Sequence, residues 1–96
     1  MIRSSEAVKY SRLEVQGNRL GDEIVFFDDR VGKYFATGPV GADIWDMLES
    51  PMYFDQICKG LLEAYEIDEN TCRVQAFAFL EKMEELRLVE VIADSK

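Results

Sequence analysis

The side chains here with the types and spacing for chemistry are two carboxylate pairs, Asp28-Asp29 and Glu84-Glu85, and two thiols, Cys58 and Cys72. Paired carboxylates can serve as general acid and base when a surrounding apolar pocket moves one of them towards neutral pH. These pairs fall in a turn and on a helix face, with no apolar pocket evident around either, and read as solvated groups. A serine or cysteine nucleophile needs a base beside it, and the 96 residues include no histidine. Both thiols sit on apolar faces of predicted helices, so they are expected to be reduced and buried in the core. Two cysteines without histidine make a poor metal set. The expectation is a protein that is not an enzyme, with no catalytic residue, no metal and no cofactor. Its function must come from a surface.

The charge narrows what that surface meets. Nineteen acidic residues against 11 basic ones give a net charge of −8. Such a field repels a phosphate backbone, which argues against nucleic acid as partner. It tolerates a neutral or basic peptide, or a basic patch on an enzyme; it also serves plain solubility. The apolar fraction of 48% fits one small packed domain over residues 1–96, with its core at about 10–92. No apolar run approaches the roughly 20 residues that span a bilayer. Residues 1–6 lack an apolar signal core, so a cytoplasmic protein is expected.

Three strands are predicted first. Residues 10–15 alternate, with Leu13 and Val15 on one face and Arg12 and Glu14 on the other. Gly17-Asn18 and Gly21-Asp22 punctuate the link to a second strand, Glu23–Asp28, rich in β-branched and aromatic residues. A short turn through Val31-Gly32 leads to the third, Lys33–Ala36. Short links imply an antiparallel meander. Residues 1–9 carry little pattern and read as a loosely docked start.

After Gly38 the period becomes helical. Val40, Ile44, Trp45, Met47 and Leu48 share a face, Pro39 suits the first turn, and Ser50-Pro51 ends the helix. A second helix starts near Phe54, with Ile57, Cys58, Leu61 and Tyr65 in its stripe. Asp68 or Asn70 is placed to cap a third, from Glu69 or Thr71 to Arg87. Residues 88–92 form either a short last strand or an extended tail.

The third helix has two apolar faces. At about 100° per residue, Cys72, Ala76, Phe79, Leu80, Met83 and Leu86 gather on one side. Val74, Phe77 and Ala78 fall roughly opposite, with Glu81 among them. Either the helix is sandwiched and both faces are core, or the second face lines a groove beside the sheet. The third strand is last in its meander, so one edge can stay unpaired and accept an incoming strand. Lys33 and Phe35 point one way, Tyr34 and Ala36 the other; a second copy could pair at this edge, giving a homodimer.

These elements in this order resemble a known family. The aromatic strand, the turn, Gly41, Ile44-Trp45, Leu48, the helix ending Leu61 to Tyr65 and the long helix ending Leu86-Arg87-Leu88-Val89 look like the PqqD-like proteins. These are leader-recognition domains of ribosomally made, modified peptides. The resemblance covers about residues 10–91. Family members often carry Leu-Asn where this chain has Thr37-Gly38. The Pro-Glu-Gly stretch common in PqqD proper is replaced by Arg30-Val31-Gly32. The chain therefore looks more like the stand-alone recognition proteins of lasso peptide clusters, which work beside a separate leader peptidase.

The resemblance implies an α+β fold, a three-stranded antiparallel sheet followed by three helices in a winged-helix-like arrangement. It implies a non-catalytic adaptor that binds a precursor leader peptide by strand addition beside Lys33, Tyr34, Phe35 and Ala36. The helix wall would be near Val74, Phe77, Ala78 and Glu81, and the peptide would be presented to a partner leader peptidase or modifying enzyme. In the lasso group, a leader Tyr and a Pro three residues later sit in an apolar pocket. The alternative in the same family is a PqqD-type peptide chaperone for a radical enzyme. A winged-helix DNA-binding regulator is disfavoured, since Glu81, Glu84 and Glu85 on the third helix make it a poor groove reader.

Overall fold

Runs of alternating or β-branched residues broken by glycine give short strands, and the amphipathic stretches between prolines and caps give helices. In a computed structural model, which describes residues 8–93, the order is β1 (Val8–Arg12), β2 (Asn18–Leu20), β3 (Glu23–Asp28), β4 (Lys33–Ala36), α1 (Gly38–Met47), β5 (Met52–Tyr53), α2 (Phe54–Ala64), α3 (Glu69–Glu85) and β6 (Val89–Ala93). The class is α+β with antiparallel pairing and three helices.

The single three-stranded sheet expected from the sequence is replaced by two. One has the order β5-β1-β6 and the other β2-β3-β4. The segment read as the meander's first strand belongs elsewhere: β1 pairs with β5, Tyr10 opposite Met52, and with β6, Arg12 opposite Val89. It ends at Arg12 because the chain then turns, the Val15 N–H bonding back to the Leu13 carbonyl at 2.8 Å. The meander begins instead at β2, in the stretch read as a connection. Asn18 lies opposite Val25 and Leu20 opposite Glu23. The start read as loosely docked reaches Val8 and Lys9, which are in β1; the remainder of that expectation lies outside the described residues. The last strand forms, as one of the two alternatives had it.

One hydrophobic core joins both sheets and all three helices. Tyr10 comes from the first sheet, Ile24 and Phe26 from the second, and Ile44, Ile57, Leu61, Leu80 and Met83 from the helices. Phe26 meets Trp45 edge-on, with ring centres 4.8 Å apart. Arg12 lies over the same indole at 5.0 Å and donates to the Trp45 carbonyl at 3.0 Å. Cys58 and Cys72 are both free and buried. Burial is the main cause that pushes the Cys58 thiol up to about 11, so it stays protonated and unreactive near neutral pH.

The helices begin and end where the chain supplies partners. Pro39 occupies the first turn of α1. Gln56 reaches back to the Tyr53 N–H at 2.9 Å at the start of α2. Asp68 accepts from the Thr71 N–H at 2.9 Å, capping α3 as its position implied. The far end of α3 closes through a paired motif: the Leu88 N–H bonds the Met83 carbonyl and the Arg87 N–H the Glu84 carbonyl. This puts Arg87 at φ 62°. Left-handed backbone costs a non-glycine residue about 1–2 kcal/mol, and glycine returns part of that gain as extra chain entropy. Arg87→Gly is therefore expected to stabilise the protein by about 0.5–1 kcal/mol, read as a rise in Tm by thermal unfolding.

A cleft between an open strand edge and the third helix

The edge of the second sheet is β4, since the order β2-β3-β4 leaves its outer side without a neighbour among the described residues. Its register is Asp28–Lys33, Phe27–Tyr34, Phe26–Phe35 and Val25–Ala36. The Thr37 N–H donates to the Ile24 carbonyl at 2.9 Å, which makes that pair a bonded one. Bonded and non-bonded pairs alternate along an antiparallel ladder. Phe35 and Lys33 are then bonded to β3, while the N–H and C=O of Tyr34 and Ala36 point away from it, to the open edge. A second strand could take up those groups without disturbing the first sheet contact.

The side chains of β4 divide as the alternation predicts. Phe35 is half-buried and faces α3, its ring 6.4 Å from that of Phe79. Tyr34 is 73% exposed and packs at 4.9 Å against Phe27 on the sheet's outer face. The strand ends at Thr37, whose hydroxyl accepts the Ile24 N–H at 3.0 Å. Gly38 follows at φ 74°, a conformation that glycine takes without steric cost, so Thr37-Gly38 makes the entry to α1 that this sequence needs. Three residues on, a β-carbon at Gly41 would come within 2.5 Å of the Phe79 ring. That absence of a side chain lets α1 and α3 close up and holds Phe79 against Phe35.

Between β4 and the last turns of α3 lies a cleft of about 160 Å³. Val31, Phe35 and Leu86 give it apolar walls, Tyr34 borders it from the strand, and Lys33 and Lys82 stand at its rim. A cavity of about 150 Å³ has room for a benzene ring, so one aromatic or branched side chain fits. Asp28 also borders the cleft, but Arg30 holds it at 3.1 Å. That bond is the main cause keeping the Asp28 carboxyl below the usual carboxylate range, so it remains an ion paired in its own turn.

Of the eight site residues proposed from the sequence, Lys33, Tyr34 and Phe35 line this cleft and Ala36 continues the same edge. The helix residues divide. Val74, Phe77, Ala78 and Glu81 are all exposed, so α3 is not sandwiched on that side. Phe77, however, stands two residues before Phe79, about 200° round the helix, and its ring meets Phe54 edge-on at 6.2 Å. Glu81 and Glu84 lie on the side of Tyr10, and after burial they are what raise its phenol pKa. Ala78 and Glu81 border a shallow hollow on the outer face of α3 with Lys82, Glu84 and Glu85. The wall facing β4 is formed instead by Phe79, Lys82 and Leu86, none of which the sequence reading proposed for the site. Leu86 had been placed in the core stripe, and Lys82 had been given no part in the site. The signal available was their spacing from Phe79, three and seven residues on, which returns to one helix face.

Among the described residues, no group of three or more His, Cys, Asp or Glu side chains is placed to hold a metal ion, and no helix is long and apolar enough to cross a membrane.

Residues 23–89 match the family described as coenzyme PQQ synthesis protein D (PqqD). The match runs from β3 to the first residue of β6 and so contains β4, α3 and the cleft. A solved structure described as TbiB1 in complex with the TbiA(beta) leader peptide is similar at 25% identity and a TM-score of 0.70, covering 83% of this chain and 94% of that one. No curated protein matches.

Proposed function

The chain belongs to the PqqD family, coenzyme PQQ synthesis protein D, and on that premise we propose that it is a non-catalytic adaptor for a ribosomally made precursor peptide. It takes the leader of that peptide as a strand on the open edge of β4 and presents it to a partner peptidase or modifying enzyme. The observation that carries this reading is the outward-facing backbone of Tyr34 and Ala36 beside an apolar cleft. Ladder bonds give affinity that does not depend on sequence, and the cleft gives selectivity for alternate side chains. The similar structure, described as a complex with a leader peptide, supports the same occupant. Held in this way, the leader raises the local concentration of its precursor at the enzyme. Arg30-Val31-Gly32, in place of the Pro-Glu-Gly of PqqD proper, favours a lasso peptide precursor.

The test is a titration with a synthetic peptide matching the leader encoded beside this chain, followed by backbone amide NMR. Shifts should saturate and concentrate at residues 33–36 and at Lys82 and Leu86. Leu86→Glu puts a charge in the cleft and is expected to weaken binding about tenfold, ~1.4 kcal/mol. Phe77→Glu, on the side of Phe54, should leave affinity within about twofold, under ~0.5 kcal/mol. The opposite ranking would move the helix wall back to the Val74–Phe77 face. Absence of saturable binding by the folded protein would overturn the adaptor reading.

A further inference from the structure

Charge at the cleft runs against the charge of the protein. Net charge is −8, yet the residues at the cleft rim are Lys33 and Lys82. Most other cations are engaged: Arg12 with the Trp45 carbonyl, Arg19 with Asp46, Arg30 with Asp28, Arg73 with Asp55, and Lys9 over the Tyr53 ring. Lys33, Lys59, Lys82 and Arg87 make no ion pair among the described residues, and two of these four stand at one cleft. The one carboxylate that shares it, Asp28, is already held by Arg30. Lys82 also borders the hollow lined by Glu81, Glu84 and Glu85, and those carboxylates would repel an acidic peptide from that hollow. The cleft is therefore where a carboxylate finds attraction on this side of the molecule.

Strand geometry turns this into a pattern. Side chains two apart on a strand share a face. Phe35 and Lys33 share the α3 face of β4, so an added strand would set one residue by Phe35 and another, two positions away, by Lys33 and Lys82. We infer that the cleft selects leader peptides carrying an apolar or aromatic residue and a carboxylate, Asp or Glu, two positions apart. This rests on the adaptor reading and specifies its substrate: the apolar residue fills the space between Phe35 and Leu86, and the carboxylate meets the two ammonium groups.

Fluorescein-labelled Thr/Val-rich peptides carrying Tyr-Thr-Glu, in both orders, are to be compared by anisotropy with their Gln and Lys counterparts. At low salt the Glu peptide is expected to bind about fivefold more tightly than the Gln peptide, the upper range for exposed ion pairs, with the gap shrinking as salt screens it. The Lys33→Gln/Lys82→Gln double variant should abolish the gap, and Lys82→Glu should turn the preference towards the Lys peptide. Both lysines are exposed, and circular dichroism checks that the variants fold. Equal binding of the Glu and Gln peptides, or a preference that survives in the double variant, overturns the inference. If none of these peptides binds while the leader peptide does, the charge rule falls and the adaptor stands. If the leader also fails to bind, both fall.

Discussion

Ala36→Pro is expected to reduce leader affinity about thirtyfold, ~2 kcal/mol, while the protein stays folded. The Ala36 N–H points to the open edge and not to β3, so proline removes no bond from the existing sheet. Proline is tolerated at edge positions of this kind, and the preceding Phe35 already has the extended backbone that proline requires. What is lost is the donor for the incoming strand, which leaves a peptide carbonyl facing the ring, a cost of about 1–3 kcal/mol. The Ala36 side chain is exposed and little packing changes with it. Isothermal titration of the variant with the leader peptide reads the loss, and thermal unfolding checks the fold. Unchanged affinity in a folded variant would mean the peptide does not bind as an added strand.

The second large effect is on stability. Gly41→Ala is expected to destabilise by about 1–2 kcal/mol, although alanine is normally the better helix residue by about 1 kcal/mol. The added methyl would sit 2.5 Å from one carbon of the Phe79 ring and 2.9 Å from another. Overpacking of this sort costs about 1–3 kcal/mol, and a ring wedged between α1 and Phe35 has little room to give. Gly60→Ala is the control. Its methyl would meet only the end of the Met47 side chain, at 3.0 and 3.2 Å, a flexible thioether that can move aside. That substitution should be neutral or stabilising. If both glycines tolerate alanine equally in thermal unfolding, Gly41 is not holding the helices together. Because Phe79 backs Phe35, Gly41→Ala is expected to weaken leader binding as well.

Much of the architecture was legible because it is local. Pro39, Asp68 and the core stripe of α3 mark the helices within a residue or two of where they stand, since caps and periodicity act over one turn. β3 and β4 were legible from their β-branched and aromatic residues and short link. The error at β1 has a clear physical origin. Alternation identifies a strand but does not say which strand it pairs with, and the partners of β1 are two residues of β5 and the distant β6. Conversely, all three residues of β2 are exposed, so no apolar alternation announces it. It is held by its hairpin register and by Arg19, which bonds both carboxylate oxygens of Asp46 at 2.7 and 2.9 Å. The candidate site follows the same division. The strand half was readable from four consecutive residues. The helix half depended on how α3 is rotated about its axis, which is fixed by Gly41, Phe79 and Phe54 in three dimensions.

The pairing of β1 with β6 also orders events in time. Val8 lies opposite Ala93, so this ladder closes a loop of nearly the whole described chain, whereas β2, β3 and β4 join through short hairpins. Long loops close at a larger entropic cost, and nonlocal pairing slows folding. As the chain emerges during synthesis, the open edge at β4 can form while β1 still waits for its partner. The helix wall that completes the cleft arrives only with the last third of the chain, so a newborn molecule presents an open strand edge before the cleft beside it exists.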